Sequence, residues 1–336
     1  MKNKNFSVLS LAIGHLLVDF CGIYLVAYHT LHMGFKYVIY FYLVYDILAF
    51  SLQPFIGYYF DKNKMYKFGA MIGLSLTLIA VVFQNLGLVA IVITCVGNGV
   101  YHTTAGALIS NYYPKRAGPL GYFVAFGAIG VFLGYQVAKA NSMNVYMILG
   151  IVVFIASLYL IKDYTKIKTR IKKNFMKIIF FTLVIVTIRG FVGSILLFPW
   201  KEEIALELLL ILGIFLGKGL GGLLSDKYGF TKVGLISLIG SLPLLILGFY
   251  YPVLAFSGAI LFNFTMGITL YIIMDSLGEY KAFAFGLTTL ALIIGMTPGL
   301  SGYKFSFGIY YYLALTVAIL IAIYALIKMI KLYEEE

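Results

Sequence analysis

Long apolar runs separated by short polar segments dominate the hydrophobic pattern of this 336-residue chain. There are twelve such runs, six in each half, and each is near the roughly 20 residues that an α-helix needs to cross a bilayer. We therefore predict an all-α membrane protein with twelve transmembrane helices. The predicted spans are 7–28, 36–60, 67–84, 86–112, 117–138, 143–161, 176–199, 203–224, 231–250, 252–275, 282–300 and 307–328.

A short acidic and basic motif occurs twice and relates the two halves of the chain. It reads G-Y-Y-F-D-K-N-K at 57–64 and G-L-L-S-D-K-Y-G at 222–229, an offset of 165 residues. A fixed period of this kind is the signature of an internal repeat, so we expect two pseudo-symmetric six-helix bundles. Other positions that coincide at the same offset are Asn98 with Asn263, Arg116 with Lys281, Gly121 with Gly286 and Gly130 with Gly295.

The composition agrees with a membrane protein. Hydrophobic residues make up 62% of the chain and charged residues 11%, with a mean hydropathy of +0.98. A soluble domain carries about 45–50% apolar and about 25% charged residues. The first apolar run is too long for the core of a signal peptide, so we expect it to remain as the first span. Cys21 and Cys95 lie inside apolar runs, where we expect them to pack as small hydrophobes rather than to form a disulfide.

The net charge of +12 follows the predicted topology rather than a nucleic-acid partner. Nineteen of the 25 lysines and arginines fall in segments on one side of the predicted spans, and only four fall on the other side. Because basic residues accumulate in cytoplasmic loops, we predict a multi-pass protein of the cell membrane with both termini in the cytoplasm. No nucleic-acid partner is expected.

One extended polar stretch, residues 163–174, divides the chain. We predict an N-terminal six-helix half at 1–162, a basic cytoplasmic linker at 163–175 and a C-terminal six-helix half at 176–336. Anionic lipid headgroups would attract this linker. The alternative is a solvated connector without a partner, which is the usual meaning of a charge run.

Two six-helix halves, each with a G-x-x-x-D-[K/R] loop after its second helix, resemble the major facilitator superfamily of secondary transporters. The second copy of the motif matches at Gly222, Asp226, Lys227 and Gly229, and the first matches at Gly57, Asp61 and Lys62. Lys64 stands where the family usually has glycine. The resemblance implies that Asp61 latches onto the N-terminus of helix eleven and holds one face of the transporter shut. The alternative is that both aspartates only cap helices and solvate loops.

Three other segments resemble the fosmidomycin-resistance-like branch of that superfamily. They read G-H-L-L-V-D-F at 14–20, G-V-Y-H-T-T-A-G at 99–106 and I-R-G-F at 188–191. The branch carries a histidine and an aspartate in helix one, a His-Pro-Glu-Gly run in helix four and an arginine in helix seven. This chain keeps His15, Asp19, His102 and Arg189, but Thr103-Thr104 replaces the Pro-Glu pair.

Ionisable residues deep in a predicted span are functional candidates, because they are costly in a bilayer and usually face a cavity or a partner. Asp19 lies near the middle of span one and Arg189 at a similar depth in span seven. We predict that they face the central cavity from opposite halves. His15 is one helical turn from Asp19, the spacing that allows direct contact. These residues are candidates for proton coupling or substrate binding, and a fixed ion pair between the halves is the alternative.

Four further polar residues in predicted spans are candidates for the same cavity. His102 is one turn from Asn98 in span four, and Asn98 and Asn263 share the repeat offset. We expect the two asparagines to present equivalent amides to the cavity or to bond neighbouring helices. Asp46 lies within span two and could carry a second proton or bond a neighbouring helix.

These features predict a proton-coupled secondary active transporter that moves a small organic or drug-like solute by alternating access, around a midplane site between its two halves. The branch resemblance favours efflux by antiport. Proton-coupled uptake of a small organic anion is an alternative, with Arg189 as the binding charge. A further alternative is a sensor or scaffold of the same fold that transports nothing.

The expected partners are a small-molecule substrate, protons and membrane lipids, and we expect a monomer. Sodium stays open as the coupling ion, and no ATP-binding loop is present. The sequence contains no HExxH or GxSxG motif and no metal-ligand cluster on one helix face. We therefore expect no enzymatic activity, no cofactor and no resident metal.

Overall fold

A computed structural model describes residues 2–32, 35–163, 170–301 and 306–335. Throughout these ranges the regular structure is helical, with no β-strand. Three short 3₁₀ turns, Gln84–Leu86, Leu158–Leu160 and Pro199–Glu202, accompany the α-helices. The α-helices are α1 Lys2–His32, α2 Phe35–Ser51, α3 Gln53–Asn63, α4 Tyr66–Val82, α5 Leu88–Tyr112, α6 Gly118–Lys139, α7 Val145–Ser157, α8 Phe175–Ile195, α9 Ile204–Tyr228, α10 Phe230–Leu247, α11 Pro252–Asn263, α12 Thr265–Ser276, α13 Lys281–Leu300 and α14 Ile309–Glu334.

Each predicted span coincides with one of these helices or with two in succession. The second span consists of α2 and α3, which are separated at Leu52. Pro54 explains this break, because proline lacks a backbone N–H and its ring crowds the carbonyl group four residues earlier. The tenth span consists of α11 and α12, separated at Phe264.

The helices have the length and the surface of membrane spans. Among the described residues, nine helices are long and apolar enough to cross a bilayer, and two shorter apolar helices accompany them. Large apolar side chains also point outward, including Phe55, Val153 and Phe180, which are 76%, 69% and 61% exposed. Exposed apolar surface of this extent is unfavourable in water and marks a face that contacts lipid or another protein.

The chain forms two compact units whose bounds differ from those of the two predicted halves of the sequence. Unit 1 contains residues 1–113, 126–167 and 280–286, and unit 2 contains 114–125, 168–279 and 287–336. The first turns of α13 belong to unit 1, and the rest of that helix belongs to unit 2. The first turns of α6 belong to unit 2, and the rest of that helix belongs to unit 1. Residues 164–169 of the predicted basic linker lie outside the described residues. Further along the linker, the backbone N–H of Lys172 donates to the carbonyl O of Ser276, 3.0 Å away.

Glycines allow the close helix packing that the repeat predicts. In unit 1, a methyl group at Gly130 of α6 would overlap the carbonyl O of Leu16 in α1. In unit 2, a methyl group at Gly295 of α13 would overlap the carbonyl O of Thr187 in α8. The two glycines are 165 residues apart, so the same contact occurs once in each half. Small residues at such contacts let helix backbones approach closely.

Candidate coupling site and latches

Unit 1 contains a buried cluster of His15, Asp19 and His102. His15 and Asp19 lie one turn apart on α1, with His15 Nε2 3.2 Å from Asp19 Oδ2. His102 belongs to α5, and its Nε2 atom lies 3.4 Å from Asp19 Oδ1 and 2.6 Å from His15 Nε2. The predicted contact between His15 and Asp19 is present, and the structure adds His102 to it. We call these three residues the coupling cluster.

The hydrogen bonds of the coupling cluster require a proton between the two imidazoles. The carbonyl O of Asn98 lies 2.8 Å from His102 Nδ1, and since a carbonyl group only accepts, that nitrogen carries a hydrogen. In neutral His102 the Nε2 atom is then an acceptor, and His15 Nε2–H donates to it. A further proton on this pair would give a cation directly beside the Asp19 carboxylate. One hydrogen therefore lies between the two Nε2 atoms, next to the Asp19 carboxylate.

Three more residues shape the surroundings of Asp19. Asn98 Nδ2 donates to Asp19 Oδ1 at 3.0 Å and to the Tyr45 hydroxyl at 3.2 Å. Gly127 of α6 leaves room for the carboxylate, because a methyl group there would overlap Asp19 Oδ2 and would lie 2.7 Å from His15 Nε2. Tyr45 and Gly127 were not among the predicted site residues. The only sequence signal for Gly127 was its place in the glycine-rich run of span five.

The coupling cluster also contains the donor atoms of a possible metal site. One ligand atom from each of its three residues lies within 4.8 Å of the others, a grouping across two helices that inspection of single helix faces missed. Two ligands at about 2.0–2.1 Å from a tetrahedral Zn²⁺ are separated by about 3.3 Å. The two imidazole nitrogens are 2.6 Å apart, which is a hydrogen-bond distance. A metal ion would bind here only after the imidazoles separated.

The other predicted carboxylate and amide are placed differently. Asp46 is half-buried on α2 and makes no hydrogen bond or ion pair with any residue that the structure describes. Asn263 donates to the carbonyl O of Ala259 in its own helix at 2.9 Å, whereas Asn98 bonds Asp19. The expected equivalence of the two asparagines therefore does not extend to their hydrogen bonds. The two hydrogen bonds differ because Asn98 lies opposite the Asp19 carboxylate of α1, whereas the Asn263 amide bonds a carbonyl group of its own helix.

Arg189 is buried in unit 2 against neutral partners. Its Nη2 atom donates to Thr269 Oγ1 at 2.8 Å and its Nη1 atom to Met266 Sδ at 2.6 Å, both on α12. Its Nε atom is buried without a hydrogen-bond partner among the described residues. In the described part of unit 2 no carboxylate lies within ion-pair distance of this guanidinium. The prediction that Arg189 and Asp19 face one cavity stays a prediction, and so does the alternative of an ion pair between them.

The first copy of the repeated motif forms a latch inside unit 1. Asp61 accepts hydrogen bonds from the backbone N–H groups of Ala282 and Phe283, at 3.1 and 2.8 Å, at the start of α13. The hydroxyl of Tyr66 donates to the same carboxylate at 2.7 Å. A carboxylate at this position satisfies free N–H groups and complements the positive end of the helix dipole. Gly57 is required because a methyl group there would overlap the Ala282 carbonyl.

The second copy forms the matching latch inside unit 2. Asp226 accepts from the backbone N–H groups of Ala117 and Gly118, at 2.7 and 2.9 Å, at the start of α6. A methyl group at Gly222 would lie 2.6 Å from the Ala117 carbonyl O. Asp61 and Asp226 therefore bind the starts of equivalent helices. Lys62 and Lys227, which follow them, are exposed and make no ion pair with the described residues.

Both motifs end in a residue with positive φ, although the two ψ angles differ. Lys64 has φ +56° and Gly229, its repeat partner, has φ +91°. Positive φ suits glycine and is strained for a residue with a side chain. Lys64, with ψ 31°, adopts the left-handed helical conformation, whereas Gly229 has ψ 147°, so the first motif ends in a different turn and Lys64 carries the strain.

Comparison with solved structures identifies the fold. The fucose:proton symporter FucP of E. coli superposes with a TM-score of 0.65 at 12% identity, covering 99% of this chain and 98% of that one. A bacterial homologue of the iron transporter ferroportin superposes with a TM-score of 0.63 at 15% identity, covering 97% of this chain and 99% of that one. The human organic anion transporter MFSD10 superposes with a TM-score of 0.59 at 13% identity, covering 96% of this chain and 99% of that one. The chain has the major facilitator fold. The predicted twelve-helix architecture is confirmed, and the apolar helices make this an integral membrane protein.

No family model and no curated protein matches the sequence. Identities of this size establish the fold alone. The resemblance to the fosmidomycin-resistance-like branch stays a prediction, as do the roles of the individual site residues.

Proposed function

We propose that the protein is a proton-coupled secondary active transporter that moves a small organic or drug-like solute by alternating access. The observation that carries this proposal is the coupling cluster, in which two histidines and one carboxylate meet inside a helix bundle. Buried ionisable groups in membrane proteins commonly mark ion and proton pathways. Of the proteins with the same fold, one is a proton symporter and another transports organic anions.

The two latches support a mechanism with alternating conformations. Each latch joins a carboxylate in the last turn of one helix to the first N–H groups of a helix from the other half of the sequence. Such contacts stabilise one conformation and disappear when the helix starts move away, so they set the populations of the two states. In this proposal both termini are cytoplasmic, the chain works as a monomer in the cell membrane, and the latches close its cytoplasmic face.

Efflux by proton antiport is the favoured direction, on the branch resemblance. The alternative is proton-coupled uptake of a small organic anion, which the surroundings of Arg189 favour. A buried guanidinium with only neutral partners is costly, and a negatively charged substrate would supply the missing charge. A sensor or scaffold without transport activity would need no such buried charges.

Proton leakage from acidified inside-out membrane vesicles tests the proposal. A pH-quenched dye reports the leakage while phosphonates, lipophilic cations and small carboxylates are added in turn, with sodium present or absent. We expect one solute class to release protons, independently of sodium, in wild-type vesicles and not with Asp19→Asn. Asp163→Asn, a carboxylate change in the linker, is the matched control. Silence across the panel, with the protein present in the membrane, would contradict proton antiport.

A further inference from the structure

A cavity of about 390 Å³ lies beside the second latch, within unit 2. It opens where α9 ends and α6 begins. Basic side chains and apolar side chains share its wall, together with the latch carboxylate. The lining residues are Lys115, Arg116, Leu223, Asp226, Lys227 and Phe230. We call it the basic cavity.

The three cations of the basic cavity outnumber its one carboxylate, Asp226. Both oxygens of Asp226 accept backbone N–H groups of α6. Lys115, Arg116 and Lys227 are exposed, and none forms an ion pair with a residue that the structure describes. Three neighbouring positive charges repel one another, and an anion between them would replace this repulsion with charge-assisted hydrogen bonds.

The repeat shows how the second latch differs from the first. At the first latch, Tyr58 and Tyr280 stack with their ring centroids 6.0 Å apart and nearly parallel. Leu223 and Lys115 occupy the equivalent positions in the second latch, 165 residues away in each case. The stacked rings are therefore replaced by a shorter apolar side chain and a flexible cation, and this replacement opens the cavity.

The equivalent of Arg116 confirms the difference in charge. Lys281 stands at that position in the first latch, where it is buried and its Nζ atom lies 3.4 Å from the carbonyl O of Ser110. Its charge is held inside the protein. Arg116 instead stays at the surface beside Lys115, where it can reach a ligand from outside.

The surroundings of the basic cavity indicate what the ligand is. Leu223 and Tyr228, on the same end of α9, are 51% and 50% exposed, so an apolar surface adjoins the cations. In the predicted topology this end of α9 is cytoplasmic, which places the cavity at the level of the headgroups. We propose that the basic cavity binds the phosphate group of an anionic phospholipid of the cytoplasmic leaflet. A free phosphate ion has the same charge chemistry but would make no use of the apolar wall.

Binding at this position also acts on the latch. Lys115 and Arg116 precede α6, and Lys227 ends α9 next to Asp226. A phosphate group that contacts both sides bridges the two segments that Asp226 joins. The lipid therefore stabilises the closed latch, by the linkage that favours whichever state binds the ligand.

Thermal unfolding of the full chain in detergent tests this inference without any transport assay. Cys21 and Cys95 are both buried, so a thiol-reactive fluorescent dye reports unfolding as they become accessible. The probes are phosphatidylglycerol, phosphatidylcholine and inorganic phosphate. We expect phosphatidylglycerol alone to raise the unfolding temperature, saturably, with one bound lipid retained per protein in native mass spectrometry.

Two test variants and one matched control locate the effect. Lys115→Gln with Arg116→Gln should weaken the apparent affinity for phosphatidylglycerol roughly 30-fold, since each cation near an anionic headgroup contributes about fivefold. Lys177→Gln with Lys328→Gln removes the same charge elsewhere on the predicted cytoplasmic side and should leave the affinity unchanged. A second variant, Leu223→Tyr with Lys115→Tyr, copies the stacked pair of the first latch and should also abolish the shift.

Several results would overturn the inference. They are no shift of the wild type by phosphatidylglycerol, an equal shift by inorganic phosphate or phosphatidylcholine, and an equal loss of affinity in the control variant. The wild-type measurements stand even if a variant fails to fold. Because none of these readouts involves transport, failure of the lipid site leaves the proposed transport function untouched, and the converse also holds.

Discussion

At the residue scale, the space around Asp19 is as important as its hydrogen bonds. Gly127 faces Asp19 and His15 without a side chain, and the cluster fits only because that volume is empty. Overpacking a tight contact typically costs about 1–3 kcal/mol, and here the strain falls directly on the coupling cluster. We therefore expect Gly127 to tolerate substitution less than glycines at which a methyl group would meet open space.

Gly127→Ala should lower proton-coupled transport at least tenfold and destabilise the protein by about 1–3 kcal/mol. Gly150→Ala is the matched control, because a methyl group there meets nothing within 4 Å. Alanine is the better helix former by about 0.5–1 kcal/mol, so the control should be neutral or slightly stabilising. Solute flux and unfolding temperature of the two variants check this. Equal behaviour of the two variants would refute the packing of Asp19 against α6.

Arg189 gives a second residue-scale prediction. With only neutral partners in unit 2, Arg189→Gln should not lower stability by the roughly 3–5 kcal/mol that breaking a buried ion pair costs. It should instead abolish transport of anionic solutes. Thermal unfolding and solute flux separate the two effects. A variant that unfolds easily would show that Arg189 is half of a structural ion pair.

At the element scale, the two latches share a geometry but differ in strength. Asp61 is almost fully buried and has three donors, including the hydroxyl of Tyr66. Asp226 is exposed and has two donors. Hydrogen bonds to a charged group contribute about 1.5–3 kcal/mol when buried, and exposure to water reduces this value.

Asp61→Asn should therefore lower the unfolding temperature clearly more than Asp226→Asn does. An asparagine amide directs its NH₂ group at one backbone N–H, and in the buried latch that clash leaves donors unsatisfied. Parallel thermal melts in one detergent check the order. The reverse order would mean that burial does not govern latch strength.

The turn after each latch offers a test of backbone strain. Gly229→Ala should destabilise the protein by about 1–3 kcal/mol, because its φ of +91° with ψ of 147° suits glycine alone. Lys64→Gly, at the equivalent position, should instead be neutral or stabilise by up to about 1 kcal/mol, since it relieves left-handed strain. Unfolding temperatures of the pair decide the matter. Destabilisation by both changes would show that the Lys64 side chain, not its backbone, matters.

At the scale of the whole molecule, bilayer thickness made the architecture predictable. Each span must supply enough apolar residues to cross the hydrocarbon core, so α1 and α14 could be recognised from composition. The family resemblance implied the contact of Asp61 with helix eleven, but the matching contact of Asp226 with the start of α6 was not predicted. Pro54 marked the break between α2 and α3, although the predicted span ran through it.

Other features depend on how helices rotate against one another, which an apolar sequence hardly encodes. Tyr45 and Gly127 join Asp19 only through the packing of α2, α5 and α6 around α1. Likewise, His102 could be placed on a helix but not against His15. The basic cavity arises where a repeat position changes from tyrosine to leucine. The consequence of that change can be recognised only from the structure, which shows that Tyr58 and Tyr280 stack in the other latch.

The central claim is that a proton on the coupling cluster drives solute movement. The most direct test reconstitutes the purified protein in liposomes with the solute identified in vesicles. It compares transport driven by a pH gradient with solute exchange at equal pH inside and outside. For Asp19→Asn and His102→Asn, we predict that gradient-driven transport is lost while exchange continues. Gradient-driven transport at the wild-type rate in both variants would contradict the proposed mechanism.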